Sequence, residues 1–241
     1  MSEKITGIVL NVRKYNDRNS VVTLYTRSRG RLSFISPVGS GKGGSARRAK
    51  LQPLAVVSTD LNFKPATELQ RLGSVSLETV WSDLYFHPIK RVMSLFLSEF
   101  LDKLLMATMP DPYLFDFLID SFQLLDGLKS NIADFHIPLL VSLLSFSGIQ
   151  PDISRMQDGY VFEFASGSFM PEFESRGPVI TGQDSKAIHW ISRLNFSNMK
   201  CLRLNHVNRR QILYGILNYY SYHFPGLGNL KSPEILREMF D

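Results

Sequence analysis

The hydrophobic period of this chain changes near Thr79–Phe86, and that change calls for a β part followed by a mostly α part. Before it come KITGIVLNVRKY, SVVTLYTR, GRLSFISPV, LAVVSTDLNF and TELQRLGSVSLETV. These short segments are rich in Val, Ile, Thr, Leu and aromatics and are spaced by turn residues, as strands are. Asn16-Asp17-Arg18-Asn19 and Arg27-Ser28-Arg29-Gly30 suit the turns of two successive hairpins. In the third segment Leu32, Phe34 and Ser36 share one face, and Arg31, Ser33 and Ile35 the other. Five such strands in about 75 residues suggest a small closed barrel. The long connection between strands three and four, residues 38–50, is what an OB-fold needs.

Beyond residue 86 the period is helical. Val92, Met93, Phe96, Leu97, Phe100, Leu101, Leu104 and Leu105 recur at i, i+3, i+4 and i+7, an amphipathic stripe. Asp111 and Pro112 supply an N-cap and first-turn proline for a second helix over Tyr113–Leu125, with Leu114, Phe117, Leu118, Phe122 and Leu125 inward and Gly127 closing it. A third helix ends at Gly148, and Pro138 either starts or kinks it. A hairpin is expected around Ala165–Gly167 and a modest helix over Asp184–Leu194. A stronger helix starts near Asn205 or Asn208, and a short one at Ser232-Pro233. The expected class is α+β and multidomain: an N-terminal OB-fold β-barrel (1–80) followed by a mostly α-helical C-terminal domain (81–241). No Gly-, Ser- or Pro-rich linker separates them, so they are expected to pack together.

Charge is distributed unevenly. The net charge of the 241 residues is +5, but residues 1–80 carry 13 Lys and Arg against 5 Asp and Glu, whereas the remainder carries 14 against 17. Within Arg13–Lys50 the basic residues are Arg13, Lys14, Arg18, Arg27, Arg29, Arg31, Lys42, Arg47, Arg48 and Lys50, against the single acid Asp17. Tyr15, Tyr25 and Phe34 lie among them. Cationic strands with interleaved aromatics can neutralise a phosphate backbone while bases stack, so these thirteen residues are the candidate nucleic-acid contacts. Each aromatic can equally be core, and residues 38–50 can be a solubilising loop. The pairs Lys90-Arg91 and Arg209-Arg210 are solvated helix faces or receivers of an acidic peptide tail.

Catalytic patterns find no support, and the chain is not expected to be an enzyme. Gly39, Gly41 and Gly44 spell a literal G-x-G-x-x-G, but a strand follows at Pro53 instead of the helix a dinucleotide site requires. There is no G-x-S-x-G and no H-E-x-x-H, and the five histidines are scattered. Asp116 and Asp120, one turn apart, have no third ligand nearby. The lone Cys201 reads as a small core residue, excludes a multi-cysteine metal site and suits a reducing cytosol. The N-terminus lacks the pattern of a secretory signal, and no run approaches a membrane span.

The run GIVLNVRKYNDRNSVVTLYTRSRGRLSFISPVGSG resembles the opening strands of the RecO family of bacterial recombination mediators. It has a Gly-Ile-Val-Leu start, a Tyr before an acidic turn, and Gly-Arg-Leu entering a strand that ends in a basic Gly loop. LSEFLDKLL, PDPYLFDFL and SFSGIQPDI resemble that family's helical domain, so the similarity runs over about residues 5–155. The resemblance implies an OB-fold that binds single- and double-stranded DNA, annealing of complementary strands, and help in loading recombinase onto strands coated by single-strand-binding protein. It implies RecR and the acidic tail of single-strand-binding protein as partners, in a bacterial cytoplasm at the nucleoid. Many members carry a four-cysteine zinc site after the Pro-Asp segment; ISRMQDGYVFEFASGSFMPE has no cysteine to form one, so no cofactor or metal is expected. A protein-interaction adaptor that docks an acidic-hydrophobic tail, with incidental DNA contact, remains an alternative, as does an RNA-binding OB module.

Overall fold

The computed structural model describes residues 3–37, 42–106, 109–181, 188, 196 and 204–240. They fall into two compact units, Met1–Gly127 and Leu128–Asp241.

The first unit is built on a curled, OB-like sheet. Its strands are β1 (Glu3–Lys14), β2 (Asn19–Thr26), β3 (Gly30–Pro37), β4 (Val56–Leu61), β5 (Leu69–Arg71) and β6 (Val75–Leu77), in the order β5-β3-β2-β1-β4-β6. Hairpins set the antiparallel centre: Val22 faces Phe34, and Val12 faces Val22 beyond a bulge between Val9 and Asn11. The fifth sequence segment forms two strands instead of one. It pairs parallel with β3, breaks, then pairs antiparallel with β4, so it reaches from one edge of the sheet to the other. The break falls at Gly73, where a Cβ would lie 2.6 Å from the Asp60 carbonyl oxygen. Only glycine fits there.

Alternation divides the sheet as the third segment indicates. Leu32, Phe34 and Val22 face the barrel core with Ile5, Val57 and Leu61, while Arg31, opposite Tyr25, takes the other face. That second face is covered as well, by α2 (Pro88–Leu104) and α3 (Pro112–Gly127). Asp111 caps α3, its Oδ1 accepting the N–H groups of Tyr113 and Leu114 at 2.9 and 3.1 Å. The buried stripe of α3 contains Phe115, with Phe117 only half-buried, a correction to the expected inward set. Phe115 is the ring that meets Tyr25, at 6.1 Å between centroids.

Residues 81–87 hold these helices to the sheet. Trp81 Nε1 donates to the Leu54 carbonyl at 3.1 Å, and Tyr85 Oη to that of Pro53 at 3.1 Å. Burial works against the Asp126 carboxylate, but the N–H groups of Asp83, Ser82 and Leu84 hold its pKa below the usual range. The wholly buried Lys90 ammonium bridges Asp83 Oδ2 and the Asp126 carbonyl, both at 2.7 Å. A buried charge needs such partners.

The connection between β3 and β4 departs from the expected loop. Residues Lys42–Lys50 form a helix, α1, despite Gly43 and Gly44 in its first turn. Arg47, Arg48 and Lys50 lie in its last turn, where positive charge complements the helix dipole. Hydrogen bonds from Arg47 to the Leu72 and Gly73 carbonyls, and from Lys50 to Val75 at 2.9 Å, supply what intrinsic propensity lacks.

In the second unit, α4 (His136–Phe146) begins so that Pro138 falls in its first turn, where a missing N–H costs nothing. The expected hairpin is β7 (Tyr160–Glu163) with β8 (Ser168–Pro171), and β9 (Val179–Ile180) pairs on the other edge of β7. Asn205 caps α5 (His206–His223), accepting from the Asn208 N–H at 2.8 Å. A final helix, α6, spans Ser232–Phe240. Cys201 and nearly all of the helix expected over Asp184–Leu194 lie outside the described residues.

Candidate nucleic-acid interface

Two groups of the candidate basic residues lie at opposite ends of β2. At the β2–β3 turn the arginines are already engaged. Arg27 makes a bidentate pair with Asp116, at 3.0 and 2.8 Å, which holds the Asp116 carboxyl below its ordinary range. Arg29 Nε donates to Glu3 Oε1 at 2.5 Å, and its guanidinium lies 4.3 Å from the centroid of Phe63. Arg31 meets Asp102 at 2.7 Å, where Asn11 Nδ2 donates to the other carboxylate oxygen at 2.9 Å. Each of these three is paired with an acid, Arg27 at the exposed surface and Arg31 half-buried.

At the β1–β2 turn the opposite holds. Asn16 Oδ1 accepts the N–H groups of Arg18 and Asn19 at 2.9 and 2.8 Å, an Asx-type turn that fixes the hairpin tip. Arg13, Lys14, Tyr15 and Arg18 are all exposed there, Tyr15 with 61% of its surface open. Lys14 contacts Asp17 at 2.7 Å, a fully solvated pair of little strength. Arg48 of α1 is exposed too, and neither it nor Arg13 or Arg18 forms an ion pair among the described residues.

The remaining candidates are placed differently from one another. Phe34 and Tyr25 are wholly buried, Phe34 in the barrel core and Tyr25 beneath α3, so neither ring is open to a base. Burial pushes the Tyr25 phenol up to about 12. Arg47 and Lys50 hold the β5–β6 segment, and burial lowers the pKa of Arg47. The Lys42 side chain lies outside the described residues. Sequence reasoning missed the groove between the hairpin and α1, a cavity of about 220 Å³ whose walls include Val12, Ser20, Ser36 and Arg48. No sequence signal marked it, since the register that sets Ser20 opposite Ser36 belongs to the folded sheet.

In the second unit Arg209 is withdrawn, its Nε 2.6 Å from Asp134 Oδ1 and its Nη2 3.0 Å from the Leu204 carbonyl. Arg210 is exposed and lines a cavity of about 480 Å³ floored by Val141, Leu144 and Ile216. In the first unit Lys90 is buried and Arg91 exposed. Where the resemblance implies zinc in other members, the Glu163 carboxylate accepts the Arg176 N–H at 2.8 Å, tying β7 to the approach of β9. No group of three or more His, Cys, Asp or Glu able to hold a metal occurs among the described residues. No helix among them is long and apolar enough to cross a membrane.

The sequence matches the family models for the recombination protein O N terminal, over residues 1–80, and the recombination protein O C terminal, over residues 90–234. It is 31% identical to the DNA repair protein RecO of Bacteroides fragilis, with both chains covered in full. It is 33% identical to that of Porphyromonas gingivalis over 98% of each chain. It is 30% identical to that of Flavobacterium psychrophilum over the whole of both.

Proposed function

The chain belongs to the RecO family of DNA repair and recombination proteins, and on that premise we propose that it binds DNA through the hairpin tip and α1 and anneals complementary strands. In this reading it is a mediator and not an enzyme. Residues 1–80 are the DNA-binding domain and 81–241 the helical domain. The observation that carries the reading is that Arg13, Lys14 and Arg18 at the hairpin tip and Arg48 on α1 are exposed, with Asp17 the one acid paired with any of them among the described residues. Acting together as a rim, they neutralise phosphates on single or double strands alike, and screening two backbones at once brings complements together. Tyr15 offers an exposed ring to an unstacked base.

Recombinase loading onto strands coated by single-strand-binding protein requires a second contact. The groove floored by Val141, Leu144 and Ile216 with Arg210 at its edge suits the acidic-hydrophobic tail of that protein. Arg91 is a further exposed cation in the helical domain, and RecR is the other partner this reading implies. The bacterial cytoplasm, at the nucleoid, is the site of action.

The decisive experiment is fluorescence anisotropy of a labelled single strand with the intact protein across a salt series. Tight binding that falls steeply with salt is expected. Absence of binding at low salt would overturn the reading and favour the adaptor alternative, for which the Arg210 groove speaks. In that case a tail peptide would still bind, and Arg210→Glu would abolish it.

A further inference from the structure

The groove between the β1–β2 hairpin and α1 has a chemistry that the rim alone does not explain. Its floor is apolar: Val12 and Val22 lie opposite each other across β1 and β2, and Leu51 follows α1. Its polar groups sit around that floor. Ser20 and Ser36 face each other across β2 and β3, and Arg47, Arg48 and Gln52 line the other side. Arg47 spends its Nη2 on carbonyls, but its Nε is buried with no hydrogen-bond partner among the described residues. A buried N–H of a guanidinium without an acceptor is costly, and an arriving oxygen would relieve that cost.

Size limits the occupant. At about 220 Å³ the cavity is smaller than the range of about 300–1,000 Å³ typical of drug-sized ligands, so it has room for one flat ring and its attached group, not for a stacked pair. A groove of that volume with apolar walls, edged by donors and two guanidinium groups, is complementary to a single nucleobase with its phosphate outside.

We propose that this groove takes one unpaired base of a DNA strand, set against the exposed Val12 above the buried Val22 and Leu51, with the adjoining phosphate on Arg48 and an acceptor of the nucleotide on Arg47 Nε. The inference rests on the DNA-binding reading above and deepens it. The rim attracts any polyanion, whereas the slot selects strands whose bases are free. A base inside a duplex is stacked on both faces and cannot enter without being turned out, so the slot biases binding toward single strands. It also holds one base out of the stack at the rim where a complement would arrive, a geometry suited to testing a pairing.

The test compares an oligothymidine with an abasic oligomer of the same length, hence the same phosphate charge, by anisotropy at one salt concentration with the intact chain. The oligothymidine is expected to bind about tenfold tighter, the order of effect that one sequestered base supplies. Val12→Phe, which fills the slot from its exposed side, is expected to bring that ratio to about one. Gln52→Trp fills it from the α1 side and serves where Val12→Phe impairs folding. Equal affinity of the unaltered protein for both oligomers overturns the slot and leaves the DNA-binding reading standing. A tenfold preference that survives a folded Val12→Phe or Gln52→Trp also overturns it, because the base is then held elsewhere. Binding of neither oligomer overturns the underlying reading itself.

Discussion

The two ends of β2 carry nearly the same charge and have opposite fates. Arg27, Arg29 and Arg31 cluster at one turn, and each is matched by an acid: Asp116, Glu3 and Asp102. Arg13, Lys14 and Arg18 cluster at the other, where the sole acid is the solvated Asp17. The difference arises from what packs nearby. Helices α2 and α3 cover the sheet face at the first end and bring their carboxylates with them, whereas the hairpin tip extends past β3 into solvent. A count of positive residues therefore does not locate a phosphate-binding face. In the reading proposed above, the residues left without acids do.

The largest effect is expected at the open end. Replacing Arg13, Arg18 and Arg48 together by Glu is expected to weaken single-strand binding about 100-fold. The slope of log affinity against log salt should shrink by about 2, since each phosphate contact on a single strand contributes about 0.7. An anisotropy titration over salt reads both quantities, and retained affinity would move the interface elsewhere. The same change at Arg47 and Lys50 is less informative, because it removes the bonds that secure α1.

At the closed end a smaller effect of a different kind is expected. Asp102→Ala leaves Arg31 and Asn11 half-buried without their acceptor, which should cost about 2 kcal/mol in stability measured by denaturant unfolding. DNA affinity should be preserved. A loss of affinity without a loss of stability would place Arg31 in the interface after all. The smallest effect should come from Asp116→Asn, which releases the exposed Arg27 from its bidentate pair. Binding is expected to strengthen by up to about twofold at low salt and not at all at high salt, as an exposed and screened cation would behave. A larger gain would mean that the closed end is poised to open.

Much of the local structure was legible in the chain. The alternation Leu32, Phe34, Ser36 set one face of β3, the cap Asp111 marked one helix start, and a second start was placed near Asn205 or Asn208, of which Asn205 is the cap. Each of these depends on residues within a few positions of one another. The candidate site was legible only in part. The exposure of Arg13, Lys14 and Arg18 follows from their place at a hairpin tip, which a local turn signal marks. Tyr25 could not be resolved, because alternation points it away from the barrel core and says nothing of the helix that covers it. The helix α1 was missed because Gly43 and Gly44 argue against one, and its support comes from carbonyls about 25 residues further along.

By itself, then, the sequence determined the order of a β part and an α part, the strand alternation, the helix caps and the stretch in which the positive charge is concentrated. Tertiary structure decided which of those charges remain available. The bond from Arg27 to Asp116 spans 89 positions and that from Arg31 to Asp102 spans 71. Whether such a charge faces solvent or a carboxylate is set by the packing of α2 and α3 on the sheet. Periodicity carries no record of that choice, because a solvated arginine and a paired one follow the same alternation.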